Sequence, residues 1–289
     1  MSRLVPLIFL LLLLSALVGV SASILPVAGT YLLAERTDMQ AIRFSARASY
    51  FTIKELSRTK PAALKLDVPM IDETYYYEFR LGDAEKPRSL VIGRSDAKWA
   101  NVLYFDADAD NVITRDERVG VAYKYFVTDD GKLDMYISEP IEPLRVKRTY
   151  LRADKSSFDK ALTLSVEIVV GYQEGAKSAE PMFLAYVAPS TWFYGEVSAG
   201  GNRVLKVAIL DANKNGLFNE AEKDCLLIDE NCDSVFDWDK ERQLLGDDLS
   251  GLGPDGKRAK LIPAVAAWPQ KLSLATKDAT PDPSQLEGK

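Results

Sequence analysis

Val204-Leu205-Lys206-Val207-Ala208-Ile209-Leu210 runs without a break into Asp211-Ala212-Asn213-Lys214-Asn215-Gly216-Leu217-Phe218-Asn219-Glu220-Ala221-Glu222. The first segment is apolar, rich in branched side chains and short for a helix, so it reads as a strand. The second puts oxygen-bearing side chains at positions 1, 3, 5 and 9 of a twelve-residue loop, Gly216 at position 6 and a carboxylate, Glu222, at position 12. A strand that feeds such a loop points to a β scaffold carrying static loop sites.

The spacing suits a hard cation such as Ca2+, which takes six to eight oxygens at roughly 2.3–2.6 Å. Alternate side chains turn inward as the backbone curls, Gly216 takes the sharp turn, and the Leu217 carbonyl faces the same interior. Phe218, at position 8, points away and can pack on a core.

The register recurs in Asp106-Ala107-Asp108-Ala109-Asp110-Asn111-Val112-Ile113-Thr114-Arg115-Asp116-Glu117, entered from Val102-Leu103-Tyr104-Phe105. Position 6 is Asn111, which tolerates a left-handed backbone. A third copy, Asp229-Glu230-Asn231-Cys232-Asp233-Ser234-Val235-Phe236-Asp237, repeats the early positions, but its twelfth residue is Lys240. Either Asp239 or Glu241 can close it if the loop bulges; the plainer reading is an acidic turn capping its own backbone.

These loops resemble those of the EF-hand family, including the shorter calcium loops of dockerin-like modules and secreted bacterial β proteins. The resemblance implies calcium ligands at Asp106, Asp108, Asp110, Val112 (carbonyl), Thr114 and Glu117, and at Asp211, Asn213, Asn215, Leu217 (carbonyl), Asn219 and Glu222. In the third loop, 229–241, the corresponding residues are Asp229, Asn231, Asp233 and Asp237. Two Ca2+ sites and a third candidate follow. Strand entries in place of helices argue against the helix-opening switch of calcium sensors.

Away from the loops the apolar period is two. Tyr75, Tyr77, Phe79 and Leu81 alternate with Tyr76, Glu78 and Arg80; Val119 to Val127, Leu133 to Ile137, Leu144 to Tyr150, Leu162 to Val170 and Ala259 to Ile262 continue the pattern. The expected fold is mostly β, an antiparallel β-sandwich or two similar β units with EF-hand-like calcium loops. Asp106 and Asp211 stand 105 residues apart (211 − 106), and each follows a strand-turn-strand pattern. This suggests a first unit over 23–150, a second over 151–276 and a disordered tail over 277–289.

Arg3, the apolar run from Leu4 to Leu14 and Val20-Ser21-Ala22 read as a signal peptide, 1–22, removed on export. The mature chain is then secreted or periplasmic, with no stable membrane span. Cys225 and Cys232, the two cysteines, are expected to pair in that oxidising setting. A net charge of -6 argues against nucleic acid.

The chain has no His, which removes His-based triads and His metal ligands. Paired carboxylates for glycoside hydrolysis need no His, but no spacing selects a pair among Glu139, Glu142, Glu167 and Glu196. Tyr75 to Tyr77 or Trp192 to Tyr194 offer sugar-stacking rings, although alternate members face opposite sides of a strand. The expectation is a calcium-binding β protein with a structural, adhesive or ligand-binding role, its partner an unknown protein or glycan at the cell exterior. The alternative is a secreted carbohydrate-active enzyme or carbohydrate-binding module.

Overall fold

The computed structural model describes residues 24–278, except 40, 45–51, 69–72, 82–85, 95–101, 122, 128–132, 139–140, 142, 153 and 174–181, and also describes residue 286. The expected signal peptide and most of the expected tail lie outside these residues. Among those described there is no α-helix, and none long and apolar enough to cross a membrane.

The protein is mostly β and its large sheets are antiparallel. In chain order the strands are β1 (Gly29–Arg36), β2 (Ile42–Arg43), β3 (Thr52–Glu55), β4 (Lys65–Leu66), β5 (Glu73–Phe79), β6 (Arg88–Arg94), β7 (Val102–Phe105) and β8 (Val112–Ile113). They continue with β9 (Arg118–Gly120), β10 (Tyr123–Val127), β11 (Leu133–Ser138), β12 (Leu144–Leu151), β13 (Ser157–Gln173), β14 (Met182–Pro189) and β15 (Trp192–Ala199). The last are β16 (Arg203–Leu210), β17 (Cys225–Ile228), β18 (Phe236–Asp237), β19 (Arg242–Leu244), β20 (Leu249–Leu252), β21 (Arg258–Val265) and β22 (Lys271–Thr276).

One sheet runs β5-β6-β7-β9. A second runs β10-β11-β13-β14-β3, with β12 also on β13. The third runs β19-β17-β16-β15-β1-β22-β21-β20. In the third sheet β1 changes partners midway: Leu33 to Arg36 pair with β15, and Gly29 to Leu32 with β22. Gly195 lies at this handover, where an added Cβ would come within 2.6 Å of the Leu32 carbonyl oxygen. Pro26 and Val27 bridge Ala199 and Leu252, so the sheet curls until it nearly closes.

Period-two segments form strands because alternate side chains enter a shared core. In β12, Leu144, Val146 and Tyr150 are buried while Arg145, Lys147, Thr149 and Leu151 are exposed. The main core draws Tyr77, Leu90 and Phe105 from the first sheet, Val146, Leu162 and Phe183 from the second, and Phe193, Val207 and Leu272 from the third. Strands from the first 60 residues join later sheets, β1 beside β15 and β3 on β14. Leu286, inside the expected tail, is buried.

The expected disulfide is corrected: both cysteines are free. Cys225 begins β17 with no exposure and packs with Leu210, Leu227, Phe236 and Trp238. From there the strand carries the chain away by about 3.3 Å per residue before the loop holding the exposed Cys232 begins. Bridging needs Cα atoms within about 7 Å.

Candidate metal centre

All three acidic loops are hairpin connections. Asp106 follows the last residue of β7 and Glu117 precedes β9; Asp211 follows β16 and Asp224 precedes β17; Asp229 follows β17 and Glu241 precedes β19. Each outgoing strand pairs antiparallel with its incoming one. An opening Asp and a closing carboxylate thus stand side by side at the end of every hairpin.

The opening aspartates are buried, Asp106 and Asp211 at 0% exposure and Asp229 at 2%. Oδ1 of each accepts the N–H of the position-5 residue: Asp110 (3.2 Å), Asn215 (3.1 Å) and Asp233 (3.0 Å). That N–H is shared with the position-3 side chain of Asp108, Asn213 or Asn231. Asp110, Asn215 and Asp233 accept in turn from Val112, Leu217 and Val235. The backbone reaches this curl through positive φ at positions 4 and 6: Ala109 and Asn111, Lys214 and Gly216, Cys232 and Ser234.

Position 8 pins each loop to a different apolar cluster. Ile113 joins Leu64, Tyr76, Val91 and Tyr104. Phe218 enters the main core edge-on to Phe193 (4.9 Å) and Trp268 (5.8 Å). Phe236 packs with Ile42, Trp192 and Trp238. Burying such a side chain contributes about 1.5–3 kcal/mol, and it holds an otherwise polar loop on the scaffold.

Short parallel ladders add to this in two loops, β8 on β4 and β18 on β2. The carbonyls of Asn111 and Ile113 accept from Lys65 and Asp67. Carbonyls alternate direction along a strand, so with Asn111 and Ile113 turned to β4 the Val112 carbonyl is directed away from it. Loop two is held by β12 instead: Arg148 donates to the Asn215 carbonyl, and the Tyr150 hydroxyl to that of Gly216 (2.8 Å).

The closing carboxylates share one arrangement. Glu117 accepts from the N–H groups of Ala107 (2.9 Å) and Thr114 (3.0 Å), and Asp224 from those of Ala212 (3.2 Å) and Glu220 (2.9 Å). Glu241 accepts from Asp237 N–H (2.8 Å). In each case the closing residue's own N–H returns to the carbonyl of Thr114, Glu220 or Asp237. The turn spans three residues in loop one and four in the others, and in loop two it starts one residue late. The closing group therefore falls at position 12, 14 or 13.

The second loop departs from the twelve-residue spacing. Glu222 lies within the turn, exposed, with φ 63° and its N–H on the Leu245 carbonyl; Asn219 is also exposed. The carboxylates that bond back into this loop are Asp224 and Glu220, the latter accepting the amides of Asn213 (2.7 Å) and Asn215. In loop three the bulge selects Glu241, while Asp237 caps the turn by accepting from Asp239 and Lys240. In every loop the closing carboxylate immediately precedes the outgoing strand, but only in loop two is that strand an apolar run, Cys225 to Ile228, that sequence alone could flag.

Burial dominates the electrostatics. It lifts Asp106 to about 6, helped by Glu117, and Asp211 to about 6. Asp224 rises to about 7, with Asp211 and Glu220 adding repulsion. Glu220 is held below its usual range, first by its bond to Lys223. Among the described residues, Asp106, Asp108 and Glu117 bring ligand atoms within 4.8 Å of one another. Asp106 Oδ2 is buried there without a hydrogen-bond partner. The matching oxygens in loops two and three accept from Gly216 (2.6 Å) and Ser234 (2.9 Å).

Most of the candidate sugar-stacking rings are core residues. Tyr75, Tyr76, Tyr77, Trp192 and Phe193 are buried and Tyr194 half-buried. Glu139 and Glu142 lie outside the described residues. Comparison with known proteins finds no matching family, no matching curated protein and no matching solved structure.

Proposed function

We propose that this is an exported calcium-stabilised β protein with a structural, adhesive or ligand-binding role, in which hairpin loops hold Ca2+. The carrying observation is Asp106 Oδ2, a buried carboxylate oxygen left without a formed hydrogen bond, set among Asp108 and Glu117. A buried acceptor of this kind is costly unless something positive meets it. Calcium supplies that charge and accepts an all-oxygen ligand set.

Loop one would use Asp106, Asp108, Asp110, the Val112 carbonyl, Thr114 and Glu117. Loop two would use Asp211, Asn213, Asn215, the Leu217 carbonyl, Glu220 and Asp224. Loop three would use Asp229, Asn231, Asp233, the Val235 carbonyl, Asp237 and Glu241. Export rests on the segment 1–22, and the extracellular setting supplies calcium.

Titration calorimetry of the chelator-treated protein tests the reading. Calcium binding with a matching rise in melting temperature, and loss of one site in Asp106→Asn, support it. Absence of binding at millimolar calcium, with identical melting in chelator, refutes it.

A further inference from the structure

A cleft of about 650 Å3 opens beside loop one, between the β7–β9 hairpin and the start of β12. Phe105, Val119 and Leu144 give it an apolar lining, and Arg118 of β9 and Arg145 of β12 line it with charge. Both arginines are exposed, and neither guanidinium has a hydrogen bond or ion pair among the described residues. Lys147, two residues along β12 and outside the cleft, is by contrast paired with Asp159 at 2.7 Å. Asp116 and Glu117 complete the charged lining, so the cleft directly adjoins the closing turn of loop one.

A volume of this size is that of a small-molecule site, and its lining is as polar as it is apolar, which suits a ligand with one charged end. Two planar guanidinium groups match a carboxylate, which each can meet with paired N–H donors. The neighbouring acidic loop opposes an incoming anion, and a cation held among Asp106, Asp108, Asp110 and Glu117 offsets that field. We infer that this cleft binds a small organic carboxylate, its anionic end on Arg118 and Arg145 and its body over Phe105, Val119 and Leu144, and that calcium in loop one strengthens the binding. The second half rests on the calcium reading; the first does not.

The test is titration of the full-length exported chain with benzoate and with glucuronate, using benzamide and glucuronamide as neutral counterparts, in millimolar calcium and in chelator. At least one carboxylate binds while its amide does not, and the stronger of the two identifies an aromatic or a sugar-like body. Arg118→Gln and Arg145→Gln each weaken binding about tenfold or more, as expected for a charged hydrogen bond. Lys147→Gln leaves it unchanged, and chelator weakens it several-fold.

Failure of both carboxylates to bind overturns the inference. So does equal weakening by Lys147→Gln, which would mark a diffuse attraction for anions. If calcium binds loop one yet carboxylate affinity is the same in chelator, the coupling is refuted. If no calcium binds but Arg118→Gln still abolishes carboxylate binding, the calcium reading fails while the cleft site is upheld.

Discussion

Asp224→Asn and Glu222→Gln separate the register seen in the structure from the twelve-residue register of the loop motif. Both substitutions remove one negative charge from the same turn. Asp224 is buried and accepts two backbone N–H groups, whereas Glu222 is exposed. Three carboxylates hydrogen-bond within loop two, Asp211, Glu220 and Asp224. Losing Asp224 removes one of them and turns an amide N–H2 toward a backbone N–H.

If loop two holds calcium, one site at a hundred times its dissociation constant would stabilise the fold by about 2.7 kcal/mol. A hundredfold weaker site at the same calcium concentration retains only about 0.4 kcal/mol. The difference is about 2.3 kcal/mol, or about 5–9 °C in melting temperature for a domain of this size. Thermal melts in calcium and in chelator provide the assay, and their difference is the relevant quantity, because relief of repulsion from Asp211 and Glu220 offsets part of the loss in chelator. Asp224→Asn is expected to remove loop two's share of the calcium-dependent rise, and Glu222→Gln to leave it within about 0.5 kcal/mol of wild type. The reverse ranking would refute the assignment of Asp224 as the closing group.

The raised Asp106, Asp211 and Asp224 give the calcium-free protein a definite pH dependence. Between an ordinary carboxylate value near 4 and their folded values of about 6, 6 and 7, the folded state holds more protons than the unfolded chain. Their contribution to stability is therefore full at low pH and lost as pH rises through about 7; chelator melts across this range check the sign, and calcium should reverse the trend. Phe218→Ala empties a fully buried aromatic site between Phe193 and Trp268, so a loss of about 3–5 kcal/mol is expected in denaturant unfolding, with weakened calcium binding in loop two. Thiol labelling should modify Cys232 in the folded protein and Cys225 only after denaturation; burial lifts the Cys225 thiol to about 12, which slows it further. Quantitative protection of both thiols in unreduced, denatured protein would restore the disulfide.

By itself the sequence determined the β character of the chain and the first half of each loop. Side-chain period two is a local property, so Leu144, Val146 and Tyr150, or Leu162 to Ile168, announce their strands without reference to the rest of the fold. The residues at loop positions 1 to 6 are equally local, because each side chain bonds a backbone N–H two to five residues ahead. Weaker patterns hid β14, where the small residues Ala185 and Ala188 interrupt the larger apolar ones, β22, whose Leu272 and Leu274 alternation is only two apolar residues long, and β1, whose side chains are mostly exposed. Only the tertiary structure decided the second half of the loops: the hairpin register sets where each outgoing strand begins, and the closing carboxylate must precede it whatever its count from the opening Asp. Pairing of β2 with β18 and of β4 with β8 joins segments far apart in the chain, which no local pattern encodes. Tyr75, Tyr76 and Tyr77 are all buried for the same reason, since one face of β5 meets the main core and the other a second cluster under loop one. Cys225 and Cys232 stand close in sequence, but a buried strand separates them because burial of Leu226, Leu227 and Ile228 outweighs the proximity of two thiols.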